Sequence, residues 1–556
     1  MNQKTLIGFI LIGAILLFWP TYLEMISPKG ESTTSKGSVK EQKQEAEVAE
    51  GKRTVSPPTF LTPEEGFGSE KIFKIETPLF SAEITNKNGG SFSSFFVKKH
   101  LKKGESSLNL IDSENLDNLL VSYINQSGEE KFLSGFWSLG EDFPAKESLI
   151  LSEKDPEITL SYFLLIGDRR VQKDITLSYN SYKIVINTNL RDIRGAVLDG
   201  NYRLDWVGGL PITEPSQDPM FLEGLVGQSG DIESYRVGSA GIFGGSNENI
   251  EKSSKRYTGP ADFVGYRTKY FSFFFVPKKG STDFVEISKY YSGKRVAVDV
   301  AAVQDINFEK TILFFGPLEY KEISDLDVNI EEKILGWQWL SSVSWLVYSV
   351  MIFMYGLIPN YGLVVVLFAV LIKLVTYPLM AKQLRSSKKM QEINPLLNNI
   401  KTKYKNNPTL QQQKIAALFQ EHKINPLAGC LPMLIQMPVL MSVFMVFRNT
   451  IEFRGESFVF WISDLSAADT LFELGGIPIN VLPFLMSASM YYTMQLSAPS
   501  APGGDPAQEA TQKMMKYMFP GMMFFLFYSF PSGLNLYYLC FNLMQIIQQK
   551  IINKEV

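Results

Sequence analysis

The sequence predicts a membrane α-helical protein carrying a large all-β domain outside the bilayer. Three observations carry that prediction. The last third of the chain holds repeated apolar runs of near-spanning length, among them Leu363–Leu379. From about Phe67 to Val328, apolar and polar residues alternate with period two between turn signals, the pattern of half-buried antiparallel strands. Charge is segregated along the chain, although the 556 residues sum to only −3. A content of 45% hydrophobic and 20% charged residues fits a membrane part joined to a soluble part better than either alone.

Residues 1–26 run LIGFILIGAILLFWP after Lys4. Trp19, Pro20, Tyr22 and Leu23 follow where a cleaved signal needs small residues, so the segment reads as an uncleaved anchor with its amino terminus inside. Residues 27–66 are rich in Lys, Glu, Ser, Thr and Pro and read as a disordered linker. Residues 67–330 form the β domain. Ile158, Leu160, Tyr162 and Leu164 alternate with polar neighbours, as do Ile175, Leu177 and Tyr179, and Asn88-Gly89-Gly90 and Gly167-Asp168 mark turns. One large β-sandwich follows, with no nucleophile motif or metal-ligand spacing, and its expected role is scaffolding or docking. The two cysteines, Cys430 and Cys540, lie in apolar segments, so no disulfide defends this domain. With only His100 and His422 in the chain, chemistry built on clustered histidines or on a His-paired nucleophile is not expected, nor is a metal site.

Within 331–360, residues 334–358 are apolar enough to span, and two readings are open: a true span, or a helix over 331–360 lying along the outer interface. Charge favours the second. The segment 382–423 carries nine bases (Lys382, Arg385, Lys388, Lys389, Lys401, Lys403, Lys405, Lys414 and Lys423) against Glu392 and Glu421, and the positive-inside rule places it in the cytoplasm. Trp337, Trp339, Trp345, Tyr348 and Tyr355 suit an interfacial depth. The second span is then 361–381. Residues 382–429 form a cytoplasmic helical hairpin broken at Asn406-Asn407-Pro408. A third span covers 430–448, and its outer loop, 449–477, is acidic. A fourth span, 478–496, leads to an inner loop at 497–513. The fifth and sixth spans are 514–531 and 533–550, and the tail 551–556 is inside. This gives six spans with both termini cytoplasmic. The apolar cores Tyr517–Phe530 and Leu534–Ile547 are each 14 residues. That is about 21 Å of helix against a hydrocarbon thickness of roughly 30 Å, short enough to thin the bilayer.

Lys373 sits inside the second span. An ammonium centred in hydrocarbon costs roughly 2.5–3.5 kcal/mol on insertion scales, so the residue must snorkel, pair with an anion or line a wet cavity. The expectation is a polar hollow, with Thr376 on the same face. Asn535, Tyr538, Asn542, Gln545 and Gln549 recur three and four apart on the last helix, a single polar stripe. Gln436, Ser489 and Thr493 add polar groups on other spans. The competing reading of the stripe is ordinary interhelical hydrogen bonding, worth about 0.6 kcal/mol per bond.

Several ordered motifs carry a resemblance over about residues 335–550. They are Tyr377-Pro378-Leu379, Asn425-Pro426-Leu427-Ala428-Gly429-Cys430, Pro432-Met433-Leu434-Ile435-Gln436-Met437-Pro438, Phe530-Pro531-Ser532-Gly533 and Tyr537-Tyr538. Together they resemble the YidC family of membrane protein insertases, and the anchor, linker and β domain resemble its Gram-negative form. The resemblance implies an inner-membrane insertase working alone or with the Sec translocon, without a cofactor. It also implies five spans forming the insertase core and a periplasmic β-sandwich of the galactose-mutarotase type. By position, Lys373 falls where the family has a groove arginine, Gln436 matches a groove glutamine and Tyr538 a substrate-contacting tyrosine. Lysine keeps the charge but loses the bidentate fork. Ser529 stands where relatives often have tryptophan, and Ala369 where the family is often polar.

The expected substrate-binding groove and slide is therefore Lys373, Gln436, Asn535, Tyr537, Tyr538 and Asn542. The expected ribosome-facing surface is the basic loop bearing Arg385, Lys388, Lys389, Lys401, Lys403 and Lys405. Nascent membrane proteins, the Sec translocon, the ribosome and membrane lipids are the implied partners, without specific nucleic-acid recognition. Two other classes compete. One is an intramembrane Ser–Lys hydrolase using Ser387, Ser442 or Ser489 with Lys373 as base. The other is a small-solute transporter, against which the absence of an internal repeat counts.

Overall fold

The structure, a computed structural model, describes residues 69–112, 117–144, 146–214, 221–237, 253–292, 295–334, 336, 340–405, 407–422, 431–497 and 514–555. These fall within one compact unit, Phe60–Val556. The expected anchor 1–26, the linker 27–66, Asn425–Cys430 and nearly all of the loop 497–513 lie outside the described residues.

The alternation read from the sequence becomes a large all-β domain. Glu157–Ile166 and Arg169–Ser178 pair antiparallel across Gly167-Asp168, with Arg169 opposite Ile166, and Gly167 takes the positive φ of 62° that so tight a turn needs. The hairpin lies near one edge of a nine-stranded sheet that runs from Asp231–Arg236 at the far edge to Ser138–Leu139 beside it. A six-stranded sheet, centred on Arg295–Asp305 and Val197–Trp206, and a five-stranded sheet, centred on Phe80–Thr85, pack against it. Aromatic contacts close the layers. Trp206 of the six-stranded sheet stacks on Phe273 of the nine-stranded one at 4.5 Å, and Phe95 of the five-stranded sheet meets Phe315 at 4.4 Å. The single expected sandwich is thus one broad sheet faced by two smaller ones.

One strand breaks its own pattern. In Arg169–Ser178 the inward positions are Val171, Lys173, Ile175 and Leu177, so a lysine lies on the core face. Its Nζ donates to the carbonyls of Asn88 (3.1 Å) and Leu119 (2.5 Å). That bond supports the Asn88-Gly89-Gly90 turn, where a Cβ on Gly89 would sit 2.8 Å from the Trp137 ring.

Nine α-helices are described after the β domain. Two are short, α1 (Tyr320–Ser324) and α2 (Ile330–Ile334). α3 (Ser341–Leu357) buries Ser344, Val347 and Met351 and leaves Trp345, Leu346 and Phe353 exposed. α4 (Tyr361–Lys403) starts at Asn360, whose side chain accepts from the Leu363 amide at 2.9 Å. It continues for 43 residues through Pro378 and Pro395. The expected second span and the first arm of the hairpin are therefore one helix of about 64 Å. α5 (Pro408–Glu421) is capped by Asn407 with proline in its first turn, and packs back on α4 through Leu418 against Ile393 and Leu397. α6 (Leu431–Asn449), α7 (Val481–Ser497), α8 (Phe519–Phe527, entered by a π turn at Met514–Met518) and α9 (Ser532–Glu555) complete the set.

The bundle core joins Val364, Val365, Phe368 and Ala369 of α4 to Val443 and Phe447 of α6 and Leu534 and Tyr537 of α9. Ala369 is buried there, which suits its small side chain. Leu374, Val375, Phe484, Phe525, Leu543 and Ile547 face outward, apolar surface of the kind a bilayer covers.

The span count is only partly tested by helix length, and the end of the last helix needs correction. Among the described residues one helix, Tyr361–Pro378, is long and apolar enough to cross a membrane; Ser341–Leu357 and Met437–Asn449 are shorter apolar helices. The six-span count is therefore not read from helix length. The last helix runs past the expected sixth span, 533–550: α9 has 24 residues and takes in the expected tail as far as Glu555, with Gln548 and Gln549 buried in its final turns.

Burial pushes the Lys173 amine down from 10.5 to about 7. A base whose folded pKa is below its unfolded value binds fewer protons when folded, so the penalty is full below about 7 and is relieved as pH rises toward 10.5. Melting the wild type and Lys173→Met at pH about 6.5 and about 9.5 should show a gain with pH in the wild type that the variant lacks. Parallel pH profiles in the two proteins would contradict this.

Candidate functional site

Lys373 lies near the inner end of the apolar part of α4, and its side chain is buried, with the residue 1% exposed. Its Nζ donates to Oε1 of Gln545 on α9 and stands over the Phe541 ring, 3.4 Å from the centroid. Gln548, one residue round the α9 surface from the stripe, donates Nε2 to the Lys373 carbonyl at 3.2 Å. A carbonyl within a helix already accepts from the next turn, so this second bond fixes α9 against α4 at the level of the charge. No carboxylate pairs with Lys373 among the described residues. Among the described residues the cation is held by an amide dipole and an aromatic face; cation–π contacts of this desolvated kind contribute about 2 kcal/mol.

This corrects the expectation of a water-lined ammonium. The side chain is covered by α9 instead of standing open, because Gln545 and Phe541, four residues apart, present both of its partners from one helical face. Thr376 does not join it: its Oγ1 donates back to the Ile372 carbonyl at 2.7 Å.

The rest of the stripe divides into two roles. Asn535 is fully buried and donates Nδ2 to the carbonyls of Phe527 (3.2 Å) and Phe530 (3.4 Å), which holds the turn between α8 and α9. Asn542 donates to Ser489 Oγ at 3.2 Å, and Ser489 donates to the Met486 carbonyl, tying α9 to α7. Both act as interhelical fastening, the competing reading of the stripe. Tyr537, expected on a surface slide, is instead a core residue. Its ring lies 5.8 Å from Phe541, 6.1 Å from Phe368 and 6.3 Å from Phe447, and its hydroxyl has no partner among the described residues. Tyr538 is half-buried and meets Phe527 edge-on at 5.0 Å.

The side chains of Gln436, Arg385 and Lys388 lie outside the described set. Lys389, Lys403 and Lys405 are exposed on the C-terminal half of α4 and the turn after it, and Lys401 is half-buried there. Phe541 and Gln548 were missed by the sequence reading. Both sit within one turn of Gln545, so a search for partners of Lys373 around that residue could have found them. Among the described residues, Ser442 and Ser489 form no hydrogen bond with Lys373; the side chain of Ser387, the third candidate for a Ser–Lys pair, lies outside them. Among the described residues, no group of three or more His, Cys, Asp or Glu side chains is placed to hold a metal ion.

Comparison with known proteins bears on this arrangement. Residues 353–556 match the family model described as the 60Kd inner membrane protein, and residues 72–346 match the YidC periplasmic domain. The Membrane protein insertase YidC of Chlorobaculum parvum is 30% identical over 589 residues, covering 100% of this chain and 95% of that protein. The chain belongs to the YidC family of membrane protein insertases. The Chlorobium limicola YidC is also 30% identical, again over 100% of this chain and 95% of its own length. The family places the chain among inner-membrane insertases with a periplasmic domain, which are not enzymes. A galactose mutarotase related enzyme from Lactobacillus acidophilus aligns with 44% of this chain and 97% of its own, at 8% identity and a TM-score of 0.26; a likeness this weak carries no functional argument.

Tyr537 offers a test of the site's packing. Tyr537→Phe should leave thermal stability in detergent unchanged or slightly higher, since it removes a buried hydroxyl without a partner among the described residues. Tyr537→Ala should cost about 3–5 kcal/mol through the cavity it opens. Equal losses in the two variants would show that the hydroxyl is bonded.

Proposed function

We propose that this YidC-family chain captures a polar, acidic segment of a nascent protein at Lys373 and releases the adjoining apolar helix into lipid. The observation that supports the reading is a buried ammonium with no carboxylate partner among the described residues, held only by neutral groups. Such a cation is electrostatically unfinished: an incoming carboxylate gains more from it than from water-exposed lysine, because the surroundings screen little. Capture requires α9 to yield, since Gln545 and Phe541 cover the nitrogen. The amide can then turn to the substrate, and the aromatic face of Tyr538 and Phe527 lies beside the path of an apolar helix. Gln436 belongs to the same groove in this reading, with Asn535 and Asn542 setting the position of its α9 wall.

The topology that goes with this function has six spans with both termini cytoplasmic. The β domain is periplasmic, and α3 lies along the outer interface. Exposed Lys389, Lys403 and Lys405, with Arg385, Lys388 and Lys401, give the inner arm a positive surface suited to the ribosome. Partnership with the Sec translocon is proposed on the same family footing.

Insertion into reconstituted vesicles tests the capture step. Lys373→Ala should reduce insertion of a substrate with an acidic translocated tail by about tenfold, the scale of one charged contact of about 1.4 kcal/mol. Lys373→Arg should insert normally, and a substrate with a neutral tail should be little affected by either change. Equal insertion of the acidic substrate by the alanine variant would refute the role given to the charge.

A further inference from the structure

The β domain and the helices meet at a charged junction that none of the sequence motifs marks. After α6, the chain makes a single 3-10 turn, Ile451–Phe453, and Ile451 enters the core of the β domain. Arg454 follows with its side chain wholly buried. Nε donates to Glu214 Oε1 at 2.8 Å, and Nη1 donates to the His100 carbonyl and pairs with Glu105 Oε2 at 3.3 Å. Lys102 closes the other side of Glu214 at 2.7 Å. Gly455 lies so close to the β domain that a Cβ there would sit 2.0 Å from the Leu101 carbonyl oxygen, and its φ of 74° also favours glycine.

The same loop is bound at its far side to α9. The Gly455 amide donates to Asp464 Oδ1 at 3.1 Å, and the Leu465 amide to the Glu456 carbonyl at 2.9 Å, which folds 455–465 into a closed loop. Ser532 then donates its amide to the Ala467 carbonyl at 2.6 Å and its hydroxyl to the Asp464 carbonyl at 2.7 Å. Gly533 donates to the Leu465 carbonyl at 2.9 Å. Amides in the first turn of a helix have no partner within it, and this loop supplies two of them. A continuous set of hydrogen bonds therefore joins the β domain, through Arg454 and the loop, to the start of the helix that carries Phe541, Gln545 and Gln548.

We infer that Arg454 is a positioning residue: by clamping the loop to Glu214 and Glu105 it fixes the first turn of α9, so that the β domain sets the register of the helix that covers Lys373. The consequence for insertion rests on the function proposed above; the structural coupling does not. Truncating Arg454 leaves Glu214 and Glu105 facing a buried gap, frees the loop, and weakens the hold on Ser532 and Gly533.

Amide hydrogen exchange on the full chain in detergent tests the coupling directly. Arg454→Gln should speed exchange at Ser532 and Gly533 by about tenfold while strands remote from the junction, such as Glu157–Ile166, keep their protection. Glu214→Gln should act in the same direction, and Arg454→Glu combined with Glu214→Arg should restore protection in part. Vesicle insertion should fall with Arg454→Gln and recover in the charge-swapped pair. Unchanged exchange at Ser532 and Gly533 in both single variants overturns the inference. Faster exchange with unchanged insertion would leave the clamp in place and count against the insertase role given to α9. If Arg454→Gln unfolds the β domain, Glu214→Gln, which removes one of its two carboxylate partners, decides the matter by the same two amides.

Discussion

An ammonium inside a helix bundle must be solvated by something, and here an amide oxygen and an aromatic face take the place of water. That constraint orders the membrane part of the molecule. Lys373 can be buried only if α9 brings Gln545 and Phe541 to the same height on α4, and Gln548 locks that height through the Lys373 carbonyl. The fastening at Asn542 and Ser489 then fixes α7 against the same helix. The arrangement satisfies the charge only partly, since a neutral amide is a weaker partner than a carboxylate. In the function proposed above, that shortfall is what an anionic segment would fill.

The periodicities were the legible part of the sequence. Alternation at 158–164 and 175–179, with Gly167-Asp168 as a turn signal, predicted antiparallel strands, and the strands found there pair as a hairpin across that turn. Asn406-Asn407-Pro408 was read as the break between two helices, and α5 does begin there, with Asn407 as its cap and proline in its first turn. The polar stripe on the last helix led to Gln545, the contact of Lys373. Its outer members, however, serve packing, because spacing reports which face a residue shares and not what lies opposite. Exposure was misread at Tyr537 and at Lys373 for the same reason: an aromatic or a lysine on a helix can point to lipid, water or a neighbour, and only the neighbouring helix decides. The end of the last helix was misread at the expected tail, where no glycine or proline interrupts the chain and α9 continues to Glu555.

The junction at Arg454 was beyond the reach of sequence patterns. Glu214 lies 240 residues away from it, and the acidic outer loop gave no sign that its arginine was buried. Long-range ion pairs leave no periodic trace. What the structure adds is a reason for the large β domain to sit on this bundle: it grips the loop that holds the first turn of α9, and α9 covers the charge.

The most direct measurement of the central claim is photo-crosslinking from position 545 to a stalled nascent chain whose tail carries either aspartate or asparagine. The account predicts strong crosslinks with the aspartate tail, loss of most of them with the asparagine tail, and the same loss when Lys373 is replaced by alanine. Crosslinks of equal strength for both tails, indifferent to the residue at 373, would contradict it.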